Sequence, residues 1–291
     1  MQKKKRQRRT SKQLLKDESL IFIDTNIFLD FYRMRTAEPG MKWLSQIESN
    51  LGRIISTCQI EMEFKKNRQK VILETKKNFG VPKWDSLNIP PILMNSAAAS
   101  SLKTYKGRIK ASVQKINKEI VSFIEEPNKK DPIYTTLEGL FKHSSEYILG
   151  RQHPDRRMLK HKSRTRFGLG YPPKKGDDFS YGDSLNWEWI IWCAKKSGKP
   201  IIIVSRDSDY GHEVNGSCVL NTWLKAEFMN RVGPKRSIVL TNRLAAGFKL
   251  AGITLPAQAV KQEEDMIASQ VLEKPKDGYN ETAIVKNEVE Q

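Results

Sequence analysis

Residues 20–33 read LIFIDTNIFLDFYR, in which a short apolar run ends at a carboxylate. The run through Ile21, Phe22 and Ile23 is typical of a strand buried on both faces of a parallel sheet. Because such sheets bind ligands at the carboxyl ends of their strands, Asp24 and Asn26 stand where a functional site is expected. The alternative interpretation is that Asp24 only caps the helix that follows.

Further strands and helices alternate along the chain. Arg53–Ser56, Ile201–Val204 and Ser237–Leu240 read as short apolar strands, and amphipathic helix patterns lie between them. The strand at residues 201–204 follows a helix that ends at a glycine and a proline, as helices before strands often do. This alternation predicts an α/β fold with a central parallel sheet.

Charge divides the chain of 291 residues into three parts. The formal net charge is +18, which favours a polyanionic partner. We expect residues 1–16 to be a basic flexible arm, residues 17–262 to form the main domain, and residues 263–291 to be an acidic, disordered tail.

Several protein classes are disfavoured by what the sequence lacks. No apolar run reaches the length of a membrane span or of a signal peptide, so we expect no membrane association and a cytoplasmic location. Cys58, Cys193 and Cys218 are too widely spaced for a zinc motif and read as reduced thiols. The four histidines also lack ligand spacing.

The segment at about residues 80–175 reads as helical in its first part and basic in its second. Residues 97–126 repeat apolar side chains every three or four positions, which predicts one long amphipathic helix with a lysine face. Residues 151–175 are strongly basic and poor in apolar side chains, and we expect them to form a mobile loop that contacts phosphates.

The acids form a pattern that suggests a metal site. They follow strands or lie near helix starts, and in a parallel sheet they would meet at one edge; they are Asp24, Glu61, Glu63, Asp183, Asp207 and Asp209. Several carboxylates in one cleft need a compensating cation, and oxygen ligands suit Mg²⁺ or Mn²⁺. Helical periodicity does not choose between Glu61 and Glu63.

Four blocks of sequence resemble the PIN-like nucleases. They are IFIDTNIFL, IEMEFKKNR, KKGDDFSYGDSLNWEWI and IIIVSRDSDYG, in this order. The resemblance spans about residues 17–250 and is sharpest to a subgroup with an E-F-x-x-N-R block and a Trp-containing helix that opens on Gly-Asp. It implies a PIN-like three-layer α/β/α fold, with a central parallel sheet and here a helical, basic insertion.

The resemblance also implies roles for single residues. The catalytic acids that bind metal would be Asp24, Glu63, Asp183 and Asp207, with Asp209 as a further ligand. Asn26 and Ser205 would support the first carboxylate. The residues expected to contact nucleic acid are Arg68, Arg156, Arg157, Lys160, Lys162, Arg164, Arg166 and Arg206.

Simpler structural roles remain open for some of these residues. Asp183 is also typical of a helix N-cap, and Asp207 with Asp209 of an Asx turn. The tryptophans at positions 187, 189 and 192 are expected in the core rather than stacked on bases.

The resulting hypothesis is a metal-dependent endonuclease that hydrolyses phosphodiester bonds, with RNA preferred to DNA as substrate and Mg²⁺ or Mn²⁺ as cofactor. One alternative is a catalytically inactive PIN-like protein that only binds nucleic acid, and another is a DNA nuclease in defence or repair. A phosphatase with Asp24 as nucleophile would need a second Asp where Asn26 stands. The sequence is compatible with a homodimer but indicates no interface.

Overall fold

A computed structural model of the chain describes residues 19–34, 37–77, 79–80, 89–173 and 180–273. Seven strands lie within these ranges: β1 (Leu20–Ile23), β2 (Ile54–Thr57), β3 (Ile148–Leu149), β4 (Ile201–Val204), β5 (Gly211–Val214), β6 (Ser217–Leu220) and β7 (Ile238–Thr241). The expected basic arm, residues 1–16, lies outside the described residues.

Eleven α-helices complete the described part of the chain. They are α1 (Thr25–Leu29), α2 (Ala37–Ser49), α3 (Cys58–Lys77), α4 (Ala97–Glu125), α5 (Pro127–Lys130), α6 (Pro132–Phe141), α7 (Arg156–Gly168), α8 (Gly182–Ser197), α9 (Thr222–Val232), α10 (Leu244–Leu250) and α11 (Ala257–Glu273). The helix expected at residues 97–126 is confirmed by α4. Among the described helices, none combines the length and apolar character needed to cross a membrane.

The central sheet has five parallel strands in the order β3-β2-β1-β4-β7. All residues of β1, β2 and β4 are buried, because helices cover both faces. The strands β5 and β6 form a separate antiparallel hairpin. The predicted fold, a parallel sheet between two layers of helices, is confirmed.

Successive strands are added first on one side of β1 and then on the other. The strands β2 and β3 add to one side of β1, whereas β4 and β7 add to its other side. Such a reversal leaves a crevice at the carboxyl ends of the two strands that flank it, here β1 and β4. Ile23 and Val204, the last residues of these two strands, lie side by side in register.

Two expectations about the basic and acidic segments are wrong. Residues 156–168, expected in a mobile loop, form α7, because Leu159 and Ser163 are buried where this helix packs on α8. Residues 263–273, expected in a disordered tail, belong to α11, where buried Glu263 accepts hydrogen bonds from the backbone N–H groups that begin α10. Residues 274–291 lie outside the described ranges.

The expected insertion is also part of the main sheet. The strand β3 lies within residues 80–175 and pairs with β2, so that this segment supplies the edge strand. Only two residues form β3, which is too short to produce a periodic pattern in the sequence.

Candidate active site

Asp24 lies directly after β1, at the crevice. Its backbone N–H donates to the carbonyl of Val204, which joins the ends of β1 and β4. Its carboxylate accepts hydrogen bonds from the Thr25 backbone N–H at 2.7 Å, from the Ser205 hydroxyl at 2.5 Å and from the Asn26 side-chain amide at 3.1 Å. Asp24 therefore caps α1, as the alternative interpretation proposed, and is also held by two side chains.

The pKa of Asp24 is raised from its usual 3.8 to about 6. Burial is the largest cause, since it disfavours the charged form, and the nearby charges of Asp207 and Glu63 add to it. The hydrogen bonds from Ser205 and Thr25 act in the opposite direction. Three acids that are far apart in sequence thus interact electrostatically.

Glu63 faces the crevice from α3. Its carboxylate accepts hydrogen bonds from the Thr25 hydroxyl at 2.9 Å and from the Gln59 side-chain amide at 2.7 Å. Glu61 instead forms an ion pair with Lys65 at 2.7 Å. The geometry therefore selects Glu63, of the two acids that helical periodicity left open.

Asp183 lies in the first turn of α8, which packs against α3. The preceding residue, Gly182, is packed so tightly that a Cβ atom there would lie 2.4 Å from the side-chain nitrogen of Gln59. Gln59 thus contacts both Glu63 and the start of α8. Tyr181, not Asp183, occupies the N-cap position, so the interpretation of Asp183 as an N-cap is wrong.

Asp207 and Asp209 follow β4 in a tight turn. The backbone N–H of Asp209 donates to the Asp207 carboxylate at 3.3 Å, which is the Asx-type contact that the sequence suggested. The backbone N–H of Asp207 donates to the Ser205 hydroxyl at 3.0 Å. The turn therefore shapes the backbone and leaves Asp207 near Asp24.

Tyr210, which follows Asp209 directly, is buried near the acids. It is fully buried, and burial raises the pKa of its phenol well above the usual value; the charges of Asp183, Asp24, Asp207 and Glu63 raise it further. All four predicted catalytic acids thus act on one side chain. We define these four carboxylates as the acid cluster.

Comparison with protein families matches residues 21–210 to the PIN domain, and this segment contains the whole acid cluster. The chain belongs to the PIN domain family. PIN domains are generally nucleases, and they typically use divalent metals. No curated protein and no solved structure matches the chain.

The chemistry of this PIN domain's acid cluster fits an oxygen-preferring divalent cation. All four groups are carboxylates, and the charges of two of them raise the pKa of a third, Asp24, as expected of acids without a compensating cation. In the described ranges, no three acid, histidine or cysteine side chains are already spaced to hold a metal ion. Binding would therefore require side chains of the acid cluster to draw together.

Two of the arginines expected to contact nucleic acid are buried in this PIN domain. Arg68 is 3% exposed and forms an ion pair with Asp131 at 2.7 Å. Arg166 is 4% exposed and pairs with Glu188 and Glu227. The expectation of surface contacts is wrong for both, because an internal carboxylate neutralises each charge.

The other predicted basic residues have different surroundings. Arg206 is ion-paired with buried Asp30, which turns its guanidinium into the protein. Arg157, Lys162 and Arg164 are exposed on α7, whereas Arg156 and Lys160 of that helix are half-buried.

Trp187 and Trp189 are fully buried, and Trp192 stacks on Trp189 with ring centroids 4.4 Å apart. Their predicted core role is confirmed.

Three residues that shape the site were not predicted from the sequence: Thr25, Gln59 and Tyr210. Thr25 lies between the two residues that were singled out, and Tyr210 follows Asp209 directly, so proximity in sequence was an available signal for both. Gln59 carries no such signal, because only the packing of α3 against α8 brings it to Gly182.

Proposed function

We propose that this PIN domain is a metal-dependent endonuclease that hydrolyses phosphodiester bonds in RNA. The observation that carries the proposal is that two small polar residues join the acids at the carboxyl ends of β1 and β4. The Ser205 hydroxyl links the Asp24 carboxylate to the Asp207 backbone, and Thr25 donates to both Asp24 and Glu63. A protein that only bound phosphate would gain nothing from a negative pocket in a chain of net charge +18. The preference for RNA over DNA rests on the resemblance of the sequence blocks.

Asp24, Glu63, Asp183 and Asp207 would hold Mg²⁺ or Mn²⁺, with Asp209 adjacent. When bound, such a cation supplies an activated water and compensates charge on the scissile phosphate. The residues around the acids keep the carboxylates in place: Ser205, Asn26 and the Thr25 backbone orient Asp24, while the Thr25 hydroxyl and Gln59 orient Glu63.

Two carboxylates are held by hydrogen bonds before any ligand arrives, which lowers the entropy that binding would cost. Thr25 serves both acids, because its N–H donates to Asp24 and its hydroxyl donates to Glu63. Neither histidine nor a covalent nucleophile is needed in this scheme.

The direct test is cleavage of end-labelled single-stranded RNA by the full chain, beside DNA of the same sequence and an RNA duplex. We expect cleavage with Mg²⁺ or Mn²⁺, none with EDTA, and products that end in 3′-hydroxyl and 5′-phosphate. Cleavage of DNA alone would indicate the DNA nuclease alternative. Binding without cleavage in any metal would favour the inactive nucleic-acid-binding alternative.

A substitution in the acid cluster distinguishes cleavage by this protein from cleavage by a contaminating nuclease. Asp24→Asn should abolish cleavage and weaken Mn²⁺ binding measured by calorimetry, while nucleic-acid binding persists. Glu119→Gln, which changes an exposed acid on α4, is the matched control and should behave as the wild type. Normal cleavage by Asp24→Asn would overturn the assignment.

A further inference from the structure

The helix α7 carries a basic stripe on the side away from the core. Its members recur at helical spacing i, i+3, i+4 and i+7, which places them on one face. They are Arg157, Lys160, His161 and Arg164. The opposite face is buried through Leu159, Ser163 and Arg166. Lys162, which the sequence analysis included with these residues, lies off the stripe.

The two faces of α7 differ in whether carboxylates of the described residues neutralise their charges. On the inner face, Arg166 pairs with two glutamates. On the outer face, no carboxylate among the described residues forms an ion pair with Arg157, Lys160 or Arg164. These three residues instead line a groove of about 490 Å³, together with Arg151 and Arg156. A groove with this charge is complementary to a chain of phosphates.

The stripe leads towards the acid cluster. Trp192, late in α8, donates a hydrogen bond to Asp155 at the start of α7, whereas Arg166, late in α7, pairs with the earlier Glu188. The two helices are therefore antiparallel. At the end of the stripe, the Arg164 guanidinium lies 5.5 Å from the ring centroid of Tyr181, two residues before Asp183.

An exposed aromatic pair lies at the same end. The rings of Tyr171 and Trp223 have centroids 5.0 Å apart and are 39% and 50% exposed. Tyr171 follows α7 and binds the Arg166 carbonyl through its backbone N–H. Trp223 is the second residue of α9, two positions after Asn221, whose backbone N–H donates to the carbonyl of Tyr210.

Each ring of this pair leaves a large part of its surface open to solvent. The segment after Tyr171 also touches the start of α8, where the Ser184 hydroxyl donates to the Pro173 carbonyl at 3.3 Å. The aromatic pair and the basic stripe thus flank the start of α8, which carries Asp183.

We propose that the stripe and the aromatic pair form a track for single-stranded nucleic acid. The stripe binds backbone phosphates, and Tyr171 with Trp223 stacks unpaired bases, which a duplex keeps inside its own stack. One part of this proposal rests on the proposed function, namely that a strand held on the track enters the acid cluster beside Asp183. The binding of the strand to the track does not depend on it.

The phosphate contacts are tested by the salt dependence of binding. The probe is a fluorescein-labelled oligouridylate of about 12 nucleotides, bound to the full chain in EDTA so that no cleavage occurs. For single strands the slope of log affinity against log salt is about 0.7 per phosphate contact, so the triple variant Arg157→Gln, Lys160→Gln, Arg164→Gln should lower it by about 2.

The matched control removes the same charge elsewhere. Lys103→Gln, Lys110→Gln, Lys118→Gln changes three exposed lysines of α4 and should leave the slope close to that of the wild type. An equal reduction in both triple variants would show that only net charge matters. Either that result or an unchanged slope in the α7 variant would refute the binding of phosphates by the stripe.

The base contacts are tested with Trp223. Trp223→Ala should weaken binding of the oligouridylate about tenfold, whereas Trp223→Phe keeps a stacking ring and should restore most of the affinity. Trp223→Phe also keeps the ring contact with Tyr171, so its thermal unfolding should match that of the wild type, and all affinities are measured at a temperature where Trp223→Ala is folded. If Trp223→Ala bound the oligouridylate as tightly as the wild type, or if the wild type bound a duplex equally tightly, the stacking of bases on the aromatic pair would be refuted.

The track and the proposed nuclease activity can be refuted independently of each other. Loss of affinity in the track variants without any metal-dependent cleavage would keep the track and refute the nuclease. Cleavage that Asp24→Asn abolishes, with track variants that bind normally, would keep the nuclease and refute the track.

Discussion

The hydroxyl of Ser205 donates a 2.5 Å hydrogen bond to the carboxylate of Asp24 and so joins the ends of β4 and β1. The same hydroxyl accepts the backbone N–H of Asp207 at 3.0 Å. Because its lone pair is engaged by Asp207, the hydroxyl proton is directed at Asp24. One side chain thereby couples two members of the acid cluster.

Replacing Ser205 should weaken metal binding without unfolding the protein. Ser205→Ala removes a donor to a buried carboxylate, and hydrogen bonds to charged groups contribute about 1.5–3 kcal/mol. We expect Mn²⁺ affinity, measured by calorimetry, to fall at least about tenfold and cleavage to require more metal. The control is Ser208→Ala, an exposed position in the same turn. Equal losses in both variants would contradict the role of Ser205.

The two glutamates of α3 provide a matched comparison. Glu63→Gln should reduce cleavage by several orders of magnitude, because it removes a carboxylate of the acid cluster. Glu61→Gln breaks only the partly exposed pair with Lys65, which keeps Glu138 as a partner, and should retain activity. Single-turnover cleavage rates at saturating Mg²⁺ measure both. A larger loss in Glu61→Gln would reverse the assignment.

The Tyr210 hydroxyl offers a test of stability. It is buried and makes no hydrogen bond among the described residues. Tyr210→Phe therefore loses no bond and should leave the free energy of unfolding unchanged or raise it slightly. Urea unfolding without metal measures this effect. A loss of more than about 1 kcal/mol would reveal a partner of the hydroxyl, such as a buried water.

Glu188 should make stability depend on pH. Burial by itself would raise the pKa of Glu188, but hydrogen bonds and charges from Arg231 and Arg166 outweigh it and hold the pKa below the usual 4.5. A lowered pKa in the folded state stabilises the protein above the unfolded value, and this contribution is lost as pH falls through the folded value.

Glu188→Gln should accordingly cost about 3 kcal/mol at neutral pH, since it leaves buried Arg166 and half-buried Arg231 to share Glu227 alone. The difference from the wild type should shrink as urea unfolding is repeated at pH values that fall from 4.5 towards the lower pKa of folded Glu188, where the folded wild type also loses this charge. Glu146→Gln, in an exposed pair with Lys196, should change stability by less than about 1 kcal/mol. A difference that grows on acidification would refute the argument.

Much of the sheet was predictable from short apolar runs. Residues 201–204 and 21–23 contain only buried-type side chains, and a parallel strand covered on both faces requires that composition. The two-residue strand β3 was not predictable, because its pairing with β2 depends on tertiary contacts rather than on a local pattern.

Basic residues were harder to place than acids. Arg164 and Arg166 stand two positions apart on α7, yet one faces solvent and the other pairs with Glu188 and Glu227. Residues 151–175 contain too few apolar side chains to predict a packed helix. The helix α7 is held to α8 through Leu159 and these buried ion pairs, whose glutamate partners come from later in the chain.

The sequence by itself determined the strand ends, the acids that follow them and the family resemblance, because these depend on local composition and on the order of short blocks. Only the tertiary structure decided that Glu63 shares Thr25 with Asp24 as a hydrogen-bond donor, whereas Glu61 pairs with Lys65. It also decided that Tyr210 is buried near the acids and that Arg68 and Arg166 are internal. The physical reason is that the ionisable group of a side chain is fixed by its residue type. Its solvation and partners are set by elements that are distant in the chain.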